Sequence, residues 1–198
     1  SCNAPSRLLV ENSIKPAFIQ RALELLPSYA PAHPLDDTTV MGALVDSTQM
    51  DTVLAYIARG QQEDATLIAG GERVMQDSGG YFVQPTLFDG VRNDMAIARE
   101  EIFGPVLSVM GFDSAAEAVH MANDNIYGLQ AAVWSRDINK AHGVARALRA
   151  GTVHVNQYDE DDITVPFGGY KQSGNGREYA DWGIHDFCEV KGIVGWGA

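Results

Sequence analysis

The sequence predicts an α/β domain, a mainly parallel sheet with helices on both faces. Three observations carry this expectation. Short apolar or β-branched runs recur along the chain as strand-like segments; helix-period segments lie between them; and connections of that length join parallel neighbours, because a tight turn can only link antiparallel ones. The chain has 198 residues, 45% hydrophobic and 20% charged, which is enough for one globular domain with a buried core and excludes disorder, collagen and coiled coil.

The elements follow in order. Arg7-Leu8-Leu9-Val10 enters a strand almost at once. Ile14, Phe18, Ala22, Leu25 and Leu26 then recur at helical spacing, and Pro16 falls near the helix start, where its missing N–H costs little. Tyr29-Ala30-Pro31-Ala32-His33-Pro34 is a proline-punctuated loop. A second helix is predicted over roughly 47–58, ending near Gly60, and Thr66-Leu67-Ile68-Ala69 before Gly70-Gly71 reads as a strand. Residues 81–88 are strand-like but contain Pro85, which predicts an edge or irregular strand. Beyond them come a strand over 106–112, a helix over 114–123 with Ser114 as N-cap for Glu117, a strand over 131–135, a helix over 137–150 closed by Gly151, and a strand over 152–156. Function in such sheets collects on loops at strand ends, which directs attention to the segments after Asn156 and before Val106.

Charge and composition narrow the function. Lys and Arg total 14 against 26 Asp and Glu, a net charge of −12, and that field repels phosphate backbones and anionic lipid, so neither nucleic acid nor membrane is expected as a partner. No apolar run approaches the length of a bilayer span, and the two cysteines, Cys2 and Cys188, have no paired spacing; a reducing, cytoplasmic setting is expected. The opening at Ser1 and the immediate strand suggest a piece of a longer chain or a processed terminus. There is no G-x-G-x-x-G or P-loop, and His33, His120, His142, His154 and His185 show no metal-ligand clustering, so no metal site is expected. The run Asp159-Glu160-Asp161-Asp162 lacks the spacing of a calcium loop and reads first as a solvated turn.

Two segments are chemically dense. Pro166-Phe167-Gly168-Gly169-Tyr170-Lys171-Gln172-Ser173-Gly174-Asn175-Gly176-Arg177-Glu178 interleaves glycines with aromatics, cations and hydroxyls, and glycines there allow close backbone approach. Glu100-Glu101-Ile102-Phe103-Gly104-Pro105 sets paired carboxylates on a Gly-Pro turn ahead of a strand. Taken with Ser1-Cys2-Asn3-Ala4-Pro5-Ser6-Arg7 and Asn123-Asp124-Asn125-Ile126-Tyr127-Gly128-Leu129, these blocks, in this order and spacing, resemble the aldehyde dehydrogenase superfamily along the whole chain. The form Thr164-Val165-Pro166-Phe167-Gly168-Gly169-Tyr170-Lys171-Gln172-Ser173-Gly174-Asn175-Gly176-Arg177 is most similar to its γ-glutamyl-γ-aminobutyraldehyde dehydrogenase group.

The resemblance implies a site. Cys2, two before Ala4 and five before Arg7, is then the catalytic nucleophile, whose thiolate forms a thiohemiacetal and, after hydride transfer to NAD or NADP, a thioester that water cleaves. Glu101 holds the ribose hydroxyls, Glu100 being the less favoured of the pair, and Phe103 packs near the nicotinamide. Phe167 lines the aldehyde pocket, Asn156 steadies the loop that carries it, and Asp161 within the acidic run faces an aminoaldehyde substrate. Cys188 is then structural. The resemblance further implies a catalytic domain over 1–188 that lacks the upstream cofactor-binding domain, the general-base glutamate and the oxyanion-hole asparagine. An oligomerisation strand over 189–198 would bridge copies in a homo-oligomer, and the chain alone is expected to be inactive. Two alternatives remain open from the residues: a cofactor-independent thiol or N-terminal-nucleophile hydrolase using Ser1 or Cys2, and an inactive fragment that only self-associates.

Overall fold

Residues 1–158, 162–195 and 197 are described by the computed structural model, and the chain divides into two units, Ser1–Asp124 and Asn125–Ala198. The first contains β1 (Arg7–Glu11), α1 (Lys15–Leu25), α2 (Ser47–Gln62), β2 (Thr66–Ala69), β3 (Arg73–Val74), β4 (Phe82–Val83), β5 (Thr86–Asp89), α3 (Ala96–Arg99), β6 (Val106–Phe112) and α4 (Ala115–Asn123). The second contains β7 (Gln130–Val133), α5 (Ile138–Ala147), β8 (Thr152–Val155) and α6 (Ala180–His185).

The main sheet of the first unit has the order β1-β6-β5-β2. Its central pairings are parallel, Arg7 lying opposite Ser108 and Thr86 opposite Val106, while β2 runs antiparallel on the β5 edge. Alternation along these strands builds two cores, one on each face. Leu9, Phe88, Val106 and Met110 point to the side covered by α2 and α3, where Met50, Val53, Ile57, Ile97 and Ala98 join them; Val10, Leu87 and Val109 point to the other, where Ala22 and Leu23 of α1 close the layer. The helices therefore cover both faces, as expected of a largely parallel sheet. In the second unit β7 and β8 pair in parallel, Gln130 opposite Thr152, with α5 as their crossover and Ala141 its buried contact.

Local chemistry explains where the helices begin. Asp46 caps α2 by accepting from the Gln49 N–H at 2.8 Å, and Asp137 caps α5 by accepting from Asn139 and Lys140 at 3.0 and 3.1 Å. Ser114 accepts from the Glu117 N–H at 3.2 Å while the Glu117 carboxylate reaches back to the Asp113 N–H at 2.8 Å, a reciprocal arrangement close to a capping box.

Three expectations change in the fold. Residues 81–88 are two strands, β4 and β5, and β5 is interior, between β6 and β2. Pro85 is tolerated because it sits just before the strand, where no ladder hydrogen bond is asked of it, and Thr86 donates instead to the Pro105 carbonyl at 2.7 Å. Helix α2 continues past Gly60 to Gln62; that glycine is buried in the helix because a Cβ there would meet Ile97 and Phe88 at 3.0 and 3.2 Å. Helix α5 stops at Ala147, Leu148 being extended, so Gly151 does not terminate it and serves a different purpose described below. Residues 189–195 form no strand within this chain, and Val190, Ile193 and Val194 are fully or almost fully exposed. No helix among the described residues is long and apolar enough to cross a membrane.

Candidate active site

Because β1 and β6 are parallel neighbours, the segments that enter them lie at the same end of the sheet, and those segments hold Cys2 on one side and Glu101 and Phe103 on the other. This is the amino end of the two strands, whereas the general rule for open α/β sheets favours the carboxyl end. Cys2 is an exposed free thiol in a turn closed by the Ala4 N–H on the Ser1 carbonyl at 3.3 Å; the Ser1 hydroxyl donates to the Asn3 side chain. The turn is attached firmly downstream. Ser108 donates its N–H to the Ser6 carbonyl at 3.0 Å, and Arg7 donates to the Asn93 side-chain oxygen at 2.6 Å and to the Met121 carbonyl, in the last turn of α4, at 2.9 Å. Burial first, and then Arg99, pull the Arg7 guanidinium below its ordinary pKa, with Asp124 opposing.

The Glu100–Phe103 turn separates its side chains by role. Glu100 is occupied, accepting from the Tyr56 hydroxyl at 2.7 Å and from Arg59 at 3.3 Å. Ile102 is buried in the core and anchors the turn. Glu101 is exposed and makes no hydrogen bond or ion pair among the described residues; Phe103 is exposed to 50% and held at a φ of 50°. A positive φ at a phenylalanine is disfavoured unless its surroundings impose it. Gln49 supplies that restraint, its side-chain N–H group donating to the Ile102 and Phe103 carbonyls at 2.8 and 3.0 Å. Gly104 lets the turn lie on α2, since a Cβ there would collide with the Val53 methyls. Gln49 was not singled out from sequence, because its only signal is a position in the first turn of a helix more than fifty residues away.

In the second unit Gly168 and Gly169 lie against protein backbone, that of Gly176 and Ser173. A Cβ on Gly151 would overlap the Gly168 carbonyl, and Gly128 is the hub of this packing: its carbonyl accepts from Gly151 and Tyr170 at 3.0 and 2.8 Å, and its N–H donates to the Ser173 hydroxyl at 3.0 Å. Lys171 reaches the Asn125 carbonyl at 2.9 Å, and Arg177 crosses the Tyr170 ring at 5.5 Å. The loop is thus a buttress. It seats Phe167, half-buried, in an antiparallel bridge with Glu178, its ring 6.3 Å from that of Tyr179. Asn156, at a φ of 56°, exchanges both ends of its amide with the Ser135 backbone, accepting at 2.8 Å and donating at 3.0 Å, so it ties the end of β8 to the chain leaving β7.

Two sequence expectations are altered or left aside. Asp159, Glu160 and Asp161 lie outside the described residues. Asp162 is exposed and caps its own turn, accepting from the Thr164 hydroxyl and N–H at 2.6 and 2.8 Å, bonds that lower its carboxyl pKa. Cys188 is exposed, so burial gives it no structural role. Among the described residues no group of His, Cys, Asp and Glu is arranged to hold a metal ion.

Comparison with known proteins now assigns the class: residues 1–193 match the aldehyde dehydrogenase family, and the chain belongs to it. The NADP/NAD-dependent aldehyde dehydrogenase PuuC of Escherichia coli K12 is 44% identical over 192 residues, 97% of this chain and 38% of that protein. The crystal structure of γ-glutamyl-γ-aminobutyraldehyde dehydrogenase from Burkholderia cenocepacia J2315 superposes with a TM-score of 0.90 at 53% identity, over 93% of this chain and 37% of the other. A mutant of the P. syringae indole-3-acetaldehyde dehydrogenase AldA, in complex with NAD+ and IAA, superposes with a TM-score of 0.92 at 57% identity, over 94% of this chain and 38% of the other. The chain spans about two fifths of the length of these relatives.

Proposed function

We propose that this chain is the catalytic portion of an NAD(P)-dependent aldehyde dehydrogenase that oxidises an aminoaldehyde to a carboxylic acid. The observation that carries the reading is the pairing of β1 with β6, which brings an exposed thiol and an unengaged carboxylate to one end of one sheet. The Cys2 sulfur attacks the carbonyl carbon to give a thiohemiacetal, and the same sulfur later leaves when water cleaves the thioester. Glu101 and Phe103 fit the ribose and nicotinamide end of a dinucleotide, because the carboxylate is free to accept from vicinal hydroxyls and the ring is available to pack. A dinucleotide held there would supply the hydride acceptor for the oxidation. Gln49 and Gly104 hold the turn that carries those two side chains, and Phe167, seated by the glycine buttress, is read by the resemblance as a lining residue of the aldehyde pocket. The pyrophosphate cradle, the general base and the second oxyanion donor are read, by the resemblance, as supplied from outside these 198 residues. The exposed free thiols suit a cytoplasmic setting. The exposed apolar tail over 189–195 is read as the strand that pairs with a second copy in a homo-oligomer.

The test is aldehyde-dependent reduction of NAD+ by the full-length enzyme, meaning this chain together with the upstream segment of its relatives. Cleavage of esters or amides without nucleotide, and no reduction of NAD+, would instead favour the hydrolase. The 198-residue chain by itself is expected to show no NAD+ binding by calorimetry, since it offers only the nicotinamide end of a site. A dissociation constant in the low micromolar range would mean that the cofactor site has been misplaced.

The aminoaldehyde assignment draws on the 53% identity to the Burkholderia enzyme and on the carboxylates of 159–162. In the full-length enzyme, Asp161→Asn with Asp162→Asn is expected to lower kcat/KM for 4-aminobutyraldehyde relative to hexanal by a few-fold, chiefly through KM. Exposed pairs contribute under about 1 kcal/mol, which sets that modest size. An unchanged ratio would make the run a solvated rim.

A further inference from the structure

The block Asn123-Asp124-Asn125-Ile126-Tyr127-Gly128-Leu129 supplies no reacting group, yet its Asp124 stands where two arms of the site meet. Arg99, the last residue of α3 and two before Glu101, grips it in a fork: one guanidinium nitrogen lies 2.6 Å from Oδ2, the other 3.2 Å from Oδ1 and 2.9 Å from the Asp124 carbonyl. Asn93 also donates to Oδ2, at 2.9 Å, and its own oxygen accepts from Arg7, five residues after Cys2, at 2.6 Å. Arg7 also closes the carbonyl end of α4 at Met121, and Asp124 is the C-cap of that helix. Asn93 is an adapter: its amide oxygen accepts from the Arg7 guanidinium and its amide N–H donates to the Asp124 carboxylate.

Stability alone gives little reason for such an arrangement. The Arg99 and Asp124 side chains are exposed to 36% and 48%, and ion pairs of that exposure contribute little. A forked pair does fix direction, and the hydrogen bond from Arg99 holds the Asp124 carboxyl below its ordinary pKa, so the link persists through mildly acidic pH. We infer that Asp124 is a positioning residue, joining the Cys2 segment through Asn93 and Arg7 to the Glu101 turn through Arg99, so that nucleophile and cofactor contact keep one spacing. This rests on the proposed roles of Cys2 and Glu101.

The experiment uses the full-length enzyme in a Cys188→Ser background, with Asp124→Asn, which keeps the shape and loses the charge, and Arg99→Lys, which keeps the charge and loses the fork. Three quantities are read: kcat and KM with aldehyde, the rate of Cys2 alkylation by iodoacetamide without nucleotide, and the melting temperature. Displacements of about 1 Å at reacting groups cost up to about 100-fold, so both variants are expected to lose about 10- to 100-fold in kcat, with aldehyde KM little changed. The alkylation rate should shift in the same two proteins. If the melting temperature falls while kcat or the alkylation rate stays at the parent value in both variants, the network is only structural and the inference is overturned. Cys2→Ala, run in parallel, separates the two levels: full activity there overturns the reading of Cys2 itself, whatever Asp124 does.

Discussion

Replacing Cys2 by alanine in the full-length enzyme is expected to lower aldehyde oxidation by at least about 10⁴-fold, while Cys188→Ala leaves kcat/KM within about twofold. The two thiols are alike in being free and exposed, so exposure does not separate them. Position does. Cys2 sits in a short turn whose downstream end is pinned by the Ser6 and Arg7 hydrogen bonds and faces the same sheet end as Glu101. Cys188 follows α6, its N–H donating to the His185 carbonyl at 3.2 Å, at the head of an exposed tail. Without the Cys2 sulfur there is no thiohemiacetal to oxidise and no thioester to hydrolyse, and no other described side chain of the first unit's site offers a comparable nucleophile. The check is steady-state NAD+ reduction together with intact mass after incubation with iodoacetamide. Equal losses from both substitutions would sink the assignment.

The second large effect falls on a residue with no chemistry. Gly151→Ala is expected to destabilise the chain by about 3 kcal/mol, because the new methyl would occupy the space of the Gly168 carbonyl and backbone must move to admit it. A loss of that size corresponds to a fall in melting temperature of about 6 to 12 °C for a chain of this length. Activity of the full-length enzyme should fall as well, since the displaced loop carries Phe167. Gly143→Ala is the counterpart: this glycine lies within α5, a Cβ there meets nothing within 4 Å, and the substitution should stabilise by about 0.5 to 1 kcal/mol through helix propensity. Thermal unfolding of both variants tests the pair, and a Gly151→Ala protein that melts with the parent would mean that this packing contributes nothing.

What the sequence determined by itself is what neighbours in sequence decide. The N-cap at Ser114 acts within three residues, the alternation along β6 within seven, and the order of the four blocks was enough to identify the family. The choice of Cys2, and of Glu101 over Glu100, came through resemblance and stands here as a proposal. What the sequence did not show is that Glu100 is engaged by Tyr56 and Arg59 from α2, at separations of 44 and 41 residues, since no local pattern announces such partners. The same reason hid the interior place of β5, the buttressing use of the glycines, and Gln49. Asp124 stands in the sequence as part of a motif without a role, because its partners Asn93 and Arg99, and Arg7 behind Asn93, reach it from distant segments. Local backbone preferences act over a turn of helix or a strand repeat and leave marks in the sequence, whereas packing and hydrogen bonding between distant segments depend on how the chain returns on itself, which only the folded structure decides.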